Sequence, residues 1–155
     1  MHVYIAGPDV FRHDAHDWAE RVRNLLAQRG HLALIPLDGK ETTAAGIFQA
    51  NLEMIRSADV VLANLNPFRG QEPDSGTAFE VGLAIALGKP VIGYVSDGRA
   101  QKEKIGHDDP DQPLDADGRH IENFGLPLNL MLAIPCRIVV GDLSAAIDQL
   151  SFLNP

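Results

Sequence analysis

The chain of 155 residues fits one domain, and its 13 Lys and Arg against 21 Asp and Glu leave a formal charge of −8, which argues against a basic nucleic-acid groove or docking on anionic lipid. A 45% hydrophobic share with 22% charged residues is ordinary for a globular chain that buries a core without staples, and the single cysteine, Cys136, excludes an internal disulfide or a multi-thiolate metal site. No apolar run approaches the about 18 residues of a membrane span, and the start Met1-His2-Val3-Tyr4 lacks a basic n-region, so the expectation is a soluble, cytoplasmic protein.

Val3-Tyr4-Ile5-Ala6 reads as a buried strand ended by Gly7-Pro8. From His16 to Arg29, Trp18, Val22, Leu25 and Leu26 fall at helical spacing, and Gly30 supplies a stop. Leu32-Ala33-Leu34-Ile35 is a second strand closed by Pro36. Phe48, Leu52 and Ile55 mark a helix face that also carries Asn51. Val60 to Ala63 is a third strand, Ser75 to Leu87 a helix with Gly88 behind it, and Val91 to Val95 a fourth strand. Leu126 to Ala133 suggests a short helix, Ile138 to Val140 a fifth strand, and Ser144 to Leu150 a last helix.

Strands that alternate with helices and are apolar at consecutive positions fit a parallel sheet covered on both faces. The expected fold is α/β: a flavodoxin-like, doubly wound, five-stranded parallel sheet, one domain over 1–155. Such sheets bind ligands beyond the carboxyl ends of their strands, near the switch point. The loops after Ala6, Ala63 and Val95 are therefore the places to search. Residues 97–125 are long, charged and rich in Asp, Gly and Pro, which suggests a lid.

The densest chemistry runs from Asn66 to Gly82, Asn-Pro-Phe-Arg-Gly-Gln-Glu-Pro-Asp-Ser-Gly-Thr-Ala-Phe-Glu-Val-Gly. Asp74 falls at a helix N-cap, and Glu80 about one and a half turns in. A helix N-terminus favours an ionised carboxylate, and an ionised carboxylate beside a ligand can attack an electrophilic sugar carbon. Gly76 and Gly82 would let a ligand or backbone approach. The same pattern also fits a capping aspartate and a surface glutamate. Tyr4 is either a core tyrosine or a hydroxyl that orients a carboxylate, and Asn51, if buried, needs a hydrogen-bond partner but suggests no catalytic role. His13, Asp14, His16 and Asp17 resemble a ligand cluster, yet nothing fixes a metal geometry and Asp14 also fits a helix cap. The run Asp108, Asp109, Asp111, Asp115, Asp117 with Gly118 lacks calcium-loop spacing. Cys136, before an apolar strand, reads as a buried, inert thiol.

Taken together, five stretches resemble the nucleoside 2-deoxyribosyltransferase family in its short protozoal and bacterial form: Tyr4 to Pro8, Asn51 to Asp59 with the strand behind it, Asn66 to Gly70, Pro73 to Gly82, and Gly125 to Met131. The resemblance implies that Glu80 is the nucleophile, forming a covalent 2-deoxyribosyl ester with net retention of configuration. It implies that Tyr4 holds that carboxylate and that Asp74 hydrogen-bonds sugar hydroxyls. It implies that Gly7 and Pro8 shape the wall near the base, with further substrate contacts from Asn64, Asn66, Phe68, Arg69, Gly76 and Met131. Asn129 matches a residue lent by a neighbouring subunit, so a homo-oligomer is expected. The acid that protonates the leaving base is left open. The third strand ends in Asn64 and Asn66, where relatives carry a carboxylate, and an amide is no general acid.

The activity so implied is transfer of 2-deoxyribose between nucleobases, with deoxynucleosides and free bases as partners and with no cofactor or metal. An N-glycoside hydrolase of deoxynucleosides or their 5′-monophosphates is the nearest alternative. A non-catalytic nucleoside-binding sensor is the alternative from another class. The carboxylate of Asp74 favours a free 5′-hydroxyl over a phosphate, with Arg69 the one nearby cation that could reverse that preference.

Overall fold

The computed structural model describes residues 1–107, 109 and 111–153. Five strands and six α-helices follow in the order β1 (His2–Ala6), α1 (Ala15–Ala27), β2 (Leu32–Leu34), α2 (Ala44–Ser57), β3 (Val60–Asn64), α3 (Ser75–Ala86), β4 (Val91–Val95), α4 (Gln101–Lys104), α5 (Leu130–Ala133), β5 (Arg137–Val140) and α6 (Leu143–Asp148). The sheet order is β2-β1-β3-β4-β5, and every pairing is parallel. This is the flavodoxin-like arrangement, with its switch point between β1 and β3.

Period-two alternation divides the strand residues between two apolar layers. Val3, Ile5, Val60, Leu62 and Ile92 pack with Ala19, Val22 and Leu26 of α1 and Ala146 and Ile147 of α6. Tyr4, Ala6, Val61, Ala63, Val91 and Val95 pack on the other face with Ile55 of α2 and Val81 and Ala84 of α3. Each fully buried aliphatic side chain contributes about 1.5–3 kcal/mol by leaving water. Truncating Leu26, which is wholly buried, would cost about 2–5 kcal/mol. Tyr4 thus lies on the α2/α3 side, pointing toward the helix that carries Glu80.

The helix ends follow local chemistry. Thr43, Asp74 and Asp142 accept backbone hydrogen bonds from Gly46, Thr77 and Ala145 as N-caps. Gly30 and Gly88 follow α1 and α3 with φ of 75° and 71°, the left-handed stop that glycine adopts without strain. Asp14 stands at the N-cap position of α1, but its carboxylate is taken by Arg12 and Arg21, which hold its pKa down, rather than by the helix.

Three details depart from the sequence expectations. The loop after β1 is a 3-10 turn at Pro8–Phe11. The helix expected from Leu126 begins at Leu130, because Asn129 caps it and two prolines surround the segment. The last helix tightens into a 3-10 turn at Gln149–Phe152. Residues 97–125 carry α4 and an antiparallel bridge between Leu114 and His120. Gln101 ties this segment to Glu72 (2.7 Å) and to the Leu126 carbonyl (2.8 Å). Asp109 and Asp115 accept hydrogen bonds from loop backbone amides, so their oxygens serve the loop's own turns. Asp108 of the acidic run lies outside the described residues. Cys136 is buried, which pushes its thiol pKa up to about 11. No helix among the described residues is long and apolar enough to cross a membrane.

Candidate active site

β1 and α3 bring together the two residues on which the site is built. Tyr4 is wholly buried in β1, and its hydroxyl donates to Glu80 Oε1 at 2.6 Å across 76 positions of sequence. Burial and the neighbouring carboxylate push the tyrosine pKa far up, so the hydroxyl keeps its proton and remains a donor.

The position of Glu80 on α3 does not hold its pKa in the usual carboxylate range. Its pKa is pushed up to about 7, chiefly by burial and also by the charge of Asp74, against the lowering effect of the Tyr4 hydrogen bond. Glu80 is the sixth residue of α3, beyond the first turn in which the helix dipole acts. Desolvation therefore wins over the dipole. Asp74 itself is turned into its helix, accepting from the backbone amide of Thr77 at 2.9 Å and from its hydroxyl at 3.1 Å.

Glu80 and Asp74 open into a cavity of about 430 Å³. That size suits a small-molecule ligand of nucleoside dimensions. Gly7, Val10 and Phe11 form one wall, and Gly76 and Thr77 lie beside the carboxylates. The opposite wall is Pro36, Leu37, Gly39, Glu41, Ile47, Ala50 and Asn51, from the β2–α2 loop and α2. The lining therefore holds three carboxylates and no lysine or arginine. Among the described residues no three His, Cys, Asp or Glu side chains are grouped to hold a metal ion.

Of the residues singled out in the sequence, Glu80, Asp74, Gly7 and Gly76 line this cavity, and Tyr4 supports it from below. Pro8 starts the 3-10 turn that presents Val10 and Phe11. Asn64 and Asn66 do not line it. Asn64 donates to Asp9 (2.7 Å), Asn66 donates to Asn64 (2.8 Å), and Ser96 donates to Asn66 (2.7 Å). This chain of hydrogen bonds stitches the carboxyl ends of β1, β3 and β4 together. Phe68 stacks on Phe11 with centroids 5.6 Å apart, and the Arg69 guanidinium lies over both rings. Arg69 holds a positive φ of 54° to do so, a strained conformation for a non-glycine residue.

Asn129 and Met131 lie elsewhere, around a separate hollow with Glu72, Pro73, Ala78, Gly82 and Leu132. Asn129 is engaged there, donating to Glu122 at 2.7 Å and accepting from the Met131 amide at 2.9 Å. A Cβ at Gly82 would meet open space, so no close approach requires that glycine. No described residue of 97–125 lines the Glu80 cavity.

From the sequence, Asn51 has a helix face and a need for a partner but no catalytic role, and Glu41 is not singled out. Asn51 shared an apolar helix face, and its Oδ1 is buried without a hydrogen-bond partner; the rule that buried polar groups are paired marked it as incomplete. Glu41 sits in a polar loop whose sequence carries no periodic signal.

Comparison with known proteins agrees with this geometry. The model of the family described as nucleoside 2-deoxyribosyltransferase matches residues 3–131. A solved 2-desoxiribosyltransferase from Leishmania mexicana is 40% identical, covers 97% of each chain and superposes with a TM-score of 0.84. A mouse 5-hydroxymethyl-dUMP N-hydrolase is 36% identical over 66 residues, 40% of this chain and 35% of its own length. A fission-yeast protein of uncharacterised activity is 32% identical over 113 residues, 66% of this chain and 54% of its own. The chain thus spans about half and about a third of these two curated relatives. A Clostridium botulinum CMP N-glycosidase shares the fold at 16% identity and a TM-score of 0.55, over 99% of each chain. With the parallel sheet, the tyrosine-held glutamate at its switch point and a family match over residues 3–131, which spans β1 to β4 and the helix that carries Glu80, the chain belongs to the nucleoside 2-deoxyribosyltransferase family of enzymes.

Proposed function

We propose that this protein transfers 2-deoxyribose from one nucleobase to another through an ester on Glu80. The observation that carries the reading is the 2.6 Å hydrogen bond from the buried Tyr4 hydroxyl to Glu80 at the base of the cavity. That bond fixes one carboxylate oxygen and leaves the other to attack.

In the first step Glu80 bonds to the anomeric carbon while the carbon–nitrogen bond breaks, its electron pair leaving with the base. The transition state resembles an oxocarbenium ion, as in retaining glycosidases. In this reading the Asn51 NH2 group donates a hydrogen bond to the charge that gathers on the departing ring. In the second step the nitrogen of another base attacks from the vacated face, its N–H proton passing to the departed base's anion, which restores the carboxylate and retains configuration. Attack by water would make the same site a hydrolase. The mouse relative, named as an N-hydrolase, supports that second reading.

The three carboxylates of the lining favour a neutral nucleoside over its 5′-monophosphate. Two unit charges about 4 Å apart repel by roughly 4 kcal/mol at an effective dielectric near 20. Arg69 does not offset this repulsion, because its guanidinium is stacked on Phe11 and Phe68 rather than turned into the lining. A homo-oligomer completes the site in this reading. Asn129 and the exposed Met131 lie outside the cavity of their own chain, so they serve a neighbour's.

Incubation with deoxyinosine, with and without adenine, tests the reading. Deoxyadenosine formed only in the presence of adenine supports transfer. Release of hypoxanthine at the same rate in both cases indicates hydrolysis. Faster turnover of the monophosphate than of the nucleoside contradicts the charge argument.

A further inference from the structure

We propose that Glu41 determines base specificity in this cavity, accepting a hydrogen bond from an exocyclic amino group on the outer edge of the bound nucleobase. The inference rests on reading the cavity as a nucleoside site.

Three carboxylates line that cavity, and two are already engaged. Asp74 accepts from Thr77, and Glu80 accepts from Tyr4. Glu41 lines the same cavity and makes no hydrogen bond or ion pair among the described residues. On that wall Pro36, Leu37, Ile47 and Ala50 are apolar, and Asn51 is the one other polar side chain.

Its position follows from α2. Asn51 and Ile47 are one helical turn apart on the cavity face, a rise of about 6 Å. Glu41 lies just before the cap residue Thr43, at the same end as Ile47. A ligand anchored at Glu80 and Asn51 therefore reaches Glu41 with its far edge, the sugar lying nearest Glu80.

Gly46 lies beside the Glu41 carboxylate. It lies in the first turn of α2, where nearly any other residue makes a better helix. A Cβ there would overlap the carboxylate of Glu41. The missing side chain leaves room for the exposed Glu41 carboxylate against the first turn of α2, at the rim of the cavity.

The chemistry then selects the ligand. An ionised carboxylate only accepts, so it repels unprotonated ring nitrogens and carbonyl oxygens and pairs with an N–H, which on adenine's outer edge is the amino group. Losing a hydrogen bond to a charged partner lowers affinity about tenfold or more.

Calorimetric titration of the protein with adenine and with unsubstituted purine tests this, because the two differ by one amino group. The wild type should prefer adenine. Glu41→Ala should lower the adenine-to-purine affinity ratio about tenfold. Glu41→Gln, which keeps an uncharged acceptor, should fall between, and Gly46→Ala should lower the ratio as well. A role in shaping the loop would weaken both bases alike, and an unchanged ratio in Glu41→Ala overturns the proposal. So does a wild type that binds neither base or prefers neither. The transfer assay is run separately. Loss of the ratio without any transfer supports Glu41 as the amino reader and refutes only the enzymatic reading.

Discussion

Replacing Glu80 with glutamine should stabilise the fold while abolishing transfer. The carboxyl pKa is pushed from an ordinary value near 4.5 to about 7, chiefly by burial. The folded protein therefore keeps a proton that the unfolded chain releases, and stability is lost as pH rises from about 4.5 through 7. The shift corresponds to about 3 kcal/mol once the group is fully ionised. Glutamine has nearly the same shape, still accepts from the Tyr4 hydroxyl and carries no charge to desolvate. Near pH 4 the two proteins should melt together. At pH 8 and above the variant should be more stable by about 3 kcal/mol, or on the order of 6–12 °C for a chain of this size. Thermal melts followed by circular dichroism from pH 4 to 9 give the comparison. A gap that does not vary with pH, or a wild type that is the more stable protein at pH 8, would refute the claim that a desolvated carboxylate is held in strain at this site.

Three further outcomes follow from the same geometry. Tyr4→Phe removes the one interaction that lowers the Glu80 pKa, so the acid limb of kcat/KM, expected near pH 7, should move upward; a pH–rate profile with an unmoved limb contradicts this. Asn51→Ala should lower kcat on the order of a hundredfold, yet leave stability unchanged or raised, because a buried acceptor without a partner is removed; denaturant unfolding beside steady-state kinetics separates the two effects. Mixing Glu80→Ala with Asn129→Ala copies should restore transfer, since a mixed assembly contains one site with both residues; a mixture as inactive as its components argues that Asn129 serves no neighbour.

The strands and most helix ends were legible because their causes are local. Apolar runs such as Val60 to Ala63, the cap at Asp74 and the stop at Gly88 each act within a few residues. The cavity was not legible in that way. Tyr4 and Glu80 meet across 76 positions, and Asn64 finds Asp9 across 55, so only the family resemblance singled out the first pair and nothing singled out the second. Asn64 and Asn66 sat at the expected strand end, but their side chains satisfy one another and their neighbours. The wall built by the β2–α2 loop was silent for a related reason. Loop residues such as Glu41 acquire a role only from what the sheet places opposite them, and a polar stretch carries no period to reveal it. The raised pKa of Glu80 was not legible because spacing reports distance from a helix start but not burial.

The covalent ester on Glu80 is the central claim, and mass spectrometry tests it most directly. The protein is mixed with a deoxynucleoside, quenched in acid and digested. The peptide that contains Glu80 should gain the mass of one 2-deoxyribosyl group, lose it when a free base is added before the quench, and never gain it in Glu80→Gln. Steady turnover with no adduct on that peptide, or transfer sustained by Glu80→Gln, would contradict the account.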